Sequence, residues 1–201
     1  MVFIALRHGQ SIWNKVNTLA GWTNVPLSIQ GVRESIIAAR ILKEKNYQFD
    51  NVFTSDLIRT TETARLINLV LEQNFTIDSS PSLKERDYGI LTGKKRDELI
   101  REFTVEDIQK WRRSYYGRPP GGENLFDVRI RIGNYYDKSI LPLLEKDKNV
   151  LLISHSNSLR ALFVHLGLKN EKTIEDFDID NCTPINIDYK NKEFFYEEFF
   201  F

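Results

Sequence analysis

The chain has 201 residues, 28 of them basic and 28 acidic, for a formal net charge of zero. That length suits one α/β domain with a core large enough to need no staples, and 41% hydrophobic with 28% charged residues is the composition of a folded protein rather than a disordered one. Balanced charge argues against bulk nucleic-acid binding, the longest apolar run (Met1 to Leu6) is too short for a membrane span or a signal-peptide core, and the single cysteine, Cys182, permits neither an internal disulfide nor a thiolate metal cluster. The expectation is a soluble, cytoplasmic, single domain over 1–201, with no repeat or linker to divide it.

Val2 to Leu6 reads as a buried strand. Ser28 can cap a helix from about Ile29 to Lys45, with Val32, Ile36 and Ala39 at helical spacing. Asn51 to Thr54 is a second strand, followed by a helix from about Leu57 to Glu72 with Leu57, Thr61, Ala64 and Leu71 on one stripe. From Ser79 to Gly122 the pattern is mixed: a loop, then polar helical turns over Asp97 to Phe103 and Glu106 to Arg113. Glu123 to Leu144 is a long helical stretch whose last turn Pro142 should end or bend. Val150 to Ile153 is the third clear strand, Leu159 to Leu166 the next helix, and Ile185, Ile187, Tyr189 and Phe194 to Tyr196 suggest two final strands. Strands separated by helices of this length favour βαβ units, so the class is α/β, a three-layer α/β/α sandwich about a mostly parallel sheet.

In such sheets ligands bind at the carboxyl ends of the strands. Arg7, His8 and Gly9 follow the first strand, Arg59 opens the helix after the second, and Ser154, His155, Ser156 and Asn157 follow the third. Topology alone therefore puts two histidines and two arginines on one rim. Arginine is a permanently charged planar donor suited to phosphate oxygens, and a helix amino terminus adds backbone N–H groups. The reading is a phosphoryl pocket. His165, mid-helix and without a motif, is assigned to structure.

Longer segments around these residues carry a resemblance. Leu6-Arg7-His8-Gly9-Gln10-Ser11-Ile12-Trp13-Asn14, Gly21-Trp22-Thr23-Asn24-Val25-Pro26-Leu27-Ser28 through Gly31, and Thr54-Ser55-Asp56-Leu57-Ile58-Arg59 through Ala64 come first. Leu83-Lys84-Glu85-Arg86-Asp87-Tyr88-Gly89, Trp111-Arg112-Arg113-Ser114, Gly121-Gly122-Glu123-Asn124-Leu125 and Ser154-His155-Ser156-Asn157 through Leu162 follow in order. Together they resemble the histidine phosphatase superfamily, and within it the cofactor-dependent phosphoglycerate mutases, over nearly the whole chain.

The resemblance implies that His8 is a nucleophile carrying a transient phosphoryl group, that Arg7, Arg59 and His155 donate to its oxygens with the Ser156 backbone N–H, and that Glu85 is the general acid and base. It further implies a substrate shell of Asn14, Ala20, Gly21, Arg86, Tyr88, Arg96, Arg112, Arg113, Ser156 and Asn157 around a small anionic phosphorylated substrate. The expected reaction is interconversion of 3-phosphoglycerate and 2-phosphoglycerate, primed by 2,3-bisphosphoglycerate, with no metal because arginines supply the charge. Neither nucleic acid nor membrane is an expected partner, and a homodimer is carried with no interface visible. The alternative is a phosphatase for a phosphorylated small molecule such as 2,3-bisphosphoglycerate. A catalytically silent binding module is disfavoured by intact His8, Arg59, Glu85 and His155.

The chain departs from the family pattern in places. Ala20 stands where mutases usually carry a hydroxyl residue, Arg96 where a lysine is usual, and Ser156 where a glycine is usual. Ser114 to Gly121 is short where many mutases carry an insertion, and the chain stops at Phe201 where many continue into a tail over the active site. A cover excludes water, so the expectation is some leakage of phosphate. The aromatic run Phe194, Phe195, Tyr196, Phe199, Phe200 and Phe201 is read as a final strand packed on the sheet edge.

Overall fold

The computed structural model describes residues 1–197; residues 198–201, with Phe199, Phe200 and Phe201 of the aromatic run, and the side chain of Arg113 lie outside the described residues. Six strands form one sheet: β1 (Phe3–Arg7), β2 (Asn51–Thr54), β3 (Ile77–Ser79), β4 (Val150–Ser154), β5 (Ile185–Asp188) and β6 (Glu193–Tyr196), in the order β3-β2-β4-β1-β5-β6. The first four in that order are parallel, while β5 runs against β1 and β6 against β5. Seven α-helices accompany them: α1 (Ile12–Lys15), α2 (Ile29–Glu44), α3 (Ile58–Leu71), α4 (Val105–Arg113), α5 (Leu125–Tyr135), α6 (Leu141–Leu144) and α7 (Ser156–His165).

The central strands are apolar throughout because both of their faces are covered. Side chains alternate between the faces. Ile4, Leu6, Val52, Leu151 and Ile153 meet Ala38, Ala39 and Leu42 of α2 and Ala64 and Ile67 of α3. Phe3, Ala5, Phe53, Val150 and Leu152 meet Val128 and Ile132 of α5 and Leu159 and Leu162 of α7. Each such buried aliphatic side chain contributes about 1.5–3 kcal/mol. A smaller cluster of Leu19, Tyr88, Leu91, Leu99 and Ile108 forms a wall above the strand ends.

Several elements differ from the sequence reading. The buried stripe of α2 is Gly31, Ser35, Ala38, Ala39 and Leu42, and Val32 is exposed. Small residues win that face because α2 packs closely on α3 and on the turn after β1. In α3 the buried stripe includes Thr60, Thr63, Ala64, Ile67 and Leu71 rather than Thr61. The helical stretch ends at Leu144 with Pro142 in its last turn, as expected, but it is not uniform: α5 widens into a π turn over Tyr136–Ile140 and continues as α6. Val128, Ile132, Tyr136, Ile140 and Leu144 are all buried and four residues apart. A wider turn keeps that spacing on one face, and it also relieves the carbonyl that the proline ring would strike. Polar β3 and the single-turn α1 are additional.

Candidate active site

Arg7 at the end of β1 lies level with Ser154 of β4, and Thr54 of β2 with Ile153. The chain leaves β1 toward the α2 layer and β4 toward the α7 layer, so the residues just beyond these two ends face each other across a crevice. His8 extends the ladder by donating its backbone N–H to the Ser154 carbonyl at 3.0 Å. His155 caps the start of α7. Their ring centroids are 5.0 Å apart.

The turn that carries His8 is pressed onto α2. A Cβ on Gly9 would come within 2.3 Å of the Gly31 carbonyl oxygen, and one on Gly31 within 2.1 Å of the Gln10 carbonyl oxygen. Neither position admits a side chain without moving backbone, which is the physical need behind both glycines.

Hydrogen-bond direction settles the state of the His8 ring. Its Nδ1 lies 2.6 Å from the Gly9 carbonyl oxygen, which can only accept, so Nδ1 carries the proton and Nε2 carries the lone pair. Burial, then the charges of Arg59 and Arg7, hold its pKa well below 6.5. The imidazole is neutral at pH 7. His155 is also buried and neutral, for burial and the Arg59 charge lower its pKa in the same way. Its Nδ1 accepts the Arg59 Nε–H at 3.2 Å, and its Nε2 lies 2.8 Å from Ser55 Oγ.

Arg59 sits in the first turn of α3 and is buried. It also donates to the carbonyls of Thr23 (2.9 Å) and of Gly21 (2.8 Å). Burial lowers its pKa to about 10, an effect that Glu85 opposes, so it stays charged at neutral pH. Glu85 is buried, and its Oε1 accepts the Arg86 backbone N–H at 2.7 Å. Arg86 donates to the Trp111 carbonyl (2.8 Å) and its guanidinium lies 4.9 Å from the Tyr88 ring centroid. Tyr88 in turn accepts a hydrogen bond from Asn157 Nδ2 at 2.9 Å.

These groups surround a cavity of about 330 Å³ lined by Arg7, His8, Asn14, Ala20, Gly21, Arg59, Glu85, Arg86, Tyr88, Arg96, Arg112, Ser156 and Asn157. Among the described residues, six arginines line it, counting Arg160, against three carboxylates: Glu85, Asp178 and Asp180. The Nε atoms of Arg7 and Arg86 are buried and have no acceptor among the described residues, and unmet buried donors of this kind are costly unless an anion takes them. Of the residues named from the sequence, His155 lies beneath the cavity instead of lining it, and the Arg113 side chain is outside the described residues. His165 is structural, with Nε2 2.9 Å from Asp137 Oδ1 and its ring against Gly133. Among the described residues no cluster of His, Cys, Asp and Glu is arranged to hold a metal ion, and no helix is long and apolar enough to cross a membrane.

Sequence reasoning missed three supports. Arg160 donates to Asn157 Oδ1 at 2.8 Å, and its place three residues on in the same helix was the available signal. Asn181 donates Nδ2–H to the His8 carbonyl at 2.6 Å, and Arg7 reaches the neighbouring Ile179 carbonyl at 2.7 Å. Arg131 of α5 collects the carbonyls of Ser82, Lys84 and Glu85 at 2.8–2.9 Å and pairs with Glu123 through two nitrogens, both at 2.9 Å.

The chain matches known proteins over nearly its whole length. The family model for the histidine phosphatase superfamily (branch 1) matches residues 3–200. The chain is 35% identical over 218 aligned positions to a 2,3-bisphosphoglycerate-dependent phosphoglycerate mutase of Chlamydia muridarum, covering 96% of each chain. It is 38% identical to the Gloeobacter violaceus 2,3-bisphosphoglycerate-dependent phosphoglycerate mutase 2, covering 94% of this chain and 86% of that one. Among solved structures, a mycobacterial glucosyl-3-phosphoglycerate phosphatase superposes with a TM-score of 0.81 at 23% identity, covering 92% and 91% of the two chains. The α-ribazole phosphatase of Shigella flexneri superposes at 0.78 and 22%, covering 98% and 94%. These two share the α/β/α fold. With the family model and the sequence relatives both spanning nearly its whole length, the chain belongs to the histidine phosphatase superfamily.

Proposed function

We propose that the chain interconverts 3-phosphoglycerate and 2-phosphoglycerate through a phosphoryl group carried on His8, primed by 2,3-bisphosphoglycerate, in the cytoplasm. The observation that carries this reading is a neutral His8 with its Nε2 lone pair free, in a cavity walled by arginines and bordered by the buried carboxyl group of Glu85. The sequence relatives named as mutases support it. The arginine side chains that line the cavity suit an anionic ligand, and 2,3-bisphosphoglycerate would supply the first phosphoryl group when bound.

His8 Nε2 attacks phosphorus, and an N–P bond forms as the P–O bond to the substrate alcohol breaks. Positive charge grows on the ring as this happens, and the Nδ1–H bond to the Gly9 carbonyl strengthens with it. Arg7 and Arg59 stabilise charge on the equatorial oxygens, where a loose phosphoryl transition state needs it. Glu85 gives its proton to the departing alkoxide and recovers one from the acceptor hydroxyl during the return transfer. Arg86, Arg96 and Arg112, with Asn14 and Tyr88, hold the carboxylate and the far phosphate; Arg113 belongs to the same proposed set.

One observation favours hydrolysis as a second activity. The connection from α4 to α5 is folded down on the body of the protein, with Tyr115 buried, its carbonyl accepting from Leu125 N at 3.1 Å, and Gly117 against the Lys110 carbonyl. Among the described residues this connection does not line the cavity, and a phosphoryl group held without a cover is more open to water. Both readings are tested together by incubation with 3-phosphoglycerate, with and without 2,3-bisphosphoglycerate, in chelator, following 2-phosphoglycerate and free phosphate. Isomerisation stimulated by the bisphosphate is expected; phosphate release alone makes the chain a phosphatase, and full activity in a His8→Ala variant overturns the mechanism.

A further inference from the structure

The three side chains Arg59, His155 and Ser55, with Thr60 behind them, have hydrogen-bond directions that can be worked out completely. Thr60 Oγ1 lies 2.8 Å from the Leu57 carbonyl oxygen and 3.0 Å from that of Ser55. Carbonyls only accept, so the Thr60 hydroxyl spends its one proton on them. Ser55 Oγ lies 2.8 Å from Thr60 Oγ1 and must therefore give its own proton to Thr60. That leaves Ser55 Oγ an acceptor, for the Leu57 backbone N–H at 3.2 Å and for His155 Nε2 at 2.8 Å. At the other end, the Arg59 Nε–H can only donate, so His155 Nδ1 must be bare. Both ends demand the same tautomer.

We infer that Ser55 and Thr60 are positioning residues: they hold His155 as the neutral Nε2–H tautomer, in which its Nδ1 accepts from Arg59 Nε and aims that guanidinium into the phosphoryl cavity. In this tautomer His155 is an acceptor for the arginine through Nδ1. Its position beneath the cavity and its full burial agree with that role. So does its lowered pKa. Arg59 is oriented from two sides, by His155 on Nε and by the Gly21 and Thr23 carbonyls on its terminal nitrogens, and its remaining N–H bonds are thereby directed. Without the Thr60 hydroxyl, Ser55 is free to turn its proton toward His155 Nε2. The other tautomer then sets an N–H of His155 against the N–H of Arg59, and the orientation is lost.

The catalytic consequence rests on the proposed function, but the tautomer is measured without any activity. The chain has three histidines, so long-range nitrogen–proton correlation spectra of uniformly ¹⁵N-labelled protein at pH 7 resolve each ring. His155 is expected to show a pyridine-type Nδ1 and a protonated Nε2; a protonated Nδ1 overturns the inference whatever the enzyme does. Thr60→Val, which keeps the shape, is expected to convert His155 to the other tautomer or to a mixture. It should lower kcat/KM with 3-phosphoglycerate about tenfold, the order of one buried hydrogen bond to a charged group, while Thr60→Ser gives back most of the loss. Ser55→Ala should show the same loss of Arg59 orientation. An unchanged His155 spectrum and unchanged kcat/KM in Thr60→Val remove the relay. Absence of mutase activity in the wild-type protein, with the expected tautomer present, counts against the proposed reaction and leaves this inference standing.

Discussion

Arg131→Met removes a clamp that never touches the cavity. In the folded protein all three nitrogens of the guanidinium are engaged, on the carbonyls of Ser82, Lys84 and Glu85 and on both oxygens of Glu123, whose side chain, like that of Arg131, is less than one-fifth exposed. Methionine keeps the aliphatic stem and leaves those acceptors to find other donors. Breaking a largely buried ion pair by removing one partner costs about 3–5 kcal/mol, which for a chain of this size lowers Tm by roughly 10 °C. The functional effect comes through Glu85, whose carbonyl then keeps, among the described residues, the Trp22 Nε1 donor at 2.6 Å. A drift of about 1 Å in an acid–base group costs on the order of 100-fold in turnover. Urea denaturation measures the first effect, and kcat for isomerisation measures the second. The double variant Arg131→Met with Glu123→Met should recover part of the stability and none of the turnover. A single variant within about 1 kcal/mol of wild type, with unchanged kcat, refutes the assignment of Glu85's position to this clamp.

Three further outcomes are expected. His8 and His155 both have folded-state pKa values well below the unfolded 6.5, so below pH 6.5 the unfolded chain binds protons that the folded one refuses. Stability present above that pH should fall as pH drops, with a slope approaching about 2.7 kcal/mol per pH unit for two groups, and His8→Asn should halve it; a slope that His8→Asn leaves unchanged contradicts this. Gly31→Ala, ordinarily a gain of up to about 1 kcal/mol in a helix, should instead destabilise and cut turnover at least about 100-fold, because the new Cβ meets the Gln10 carbonyl at 2.1 Å; a stabilised, active variant disproves the contact. Asn181→Ala should slow turnover by about tenfold with a stability change near 1 kcal/mol, the worth of one hydrogen bond, and equal effects on KM and kcat would point away from a role in holding His8.

Much of this architecture was legible because the physics acting on it is local. Val150–Ser154 and Phe3–Arg7 are buried on both faces, and an unbroken apolar run records that directly. The residues past their ends follow from topology. What was hidden depends on partners far along the chain. Arg131 looks like any helical surface charge, since its acceptors are backbone carbonyls 46 to 49 positions earlier. Asn181 sits in a loop with no pattern. The face of α2 was misjudged by hydrophobicity, because close approach to α3 rewards Gly31, Ser35 and Ala38 over Val32. The resemblance implies a donor role for His155; the direction inferred above rests on where Arg59 and Ser55 lie, which no local pattern records.

The bond from Asn181 to the His8 carbonyl spans 173 positions, and that from Arg7 to the Ile179 carbonyl spans 172. His8 is therefore synthesised well before the two groups that steady the turn it stands in. At translation rates of about 5–20 residues per second, roughly ten to thirty seconds separate the two. For most of that interval β1 lacks β4 beside it, and for all of it the loop that closes the turn after β1 is missing. The His8 turn is therefore assembled only once the segment holding Ile179 and Asn181 has been made, and a chain cut short before that segment lacks both bonds.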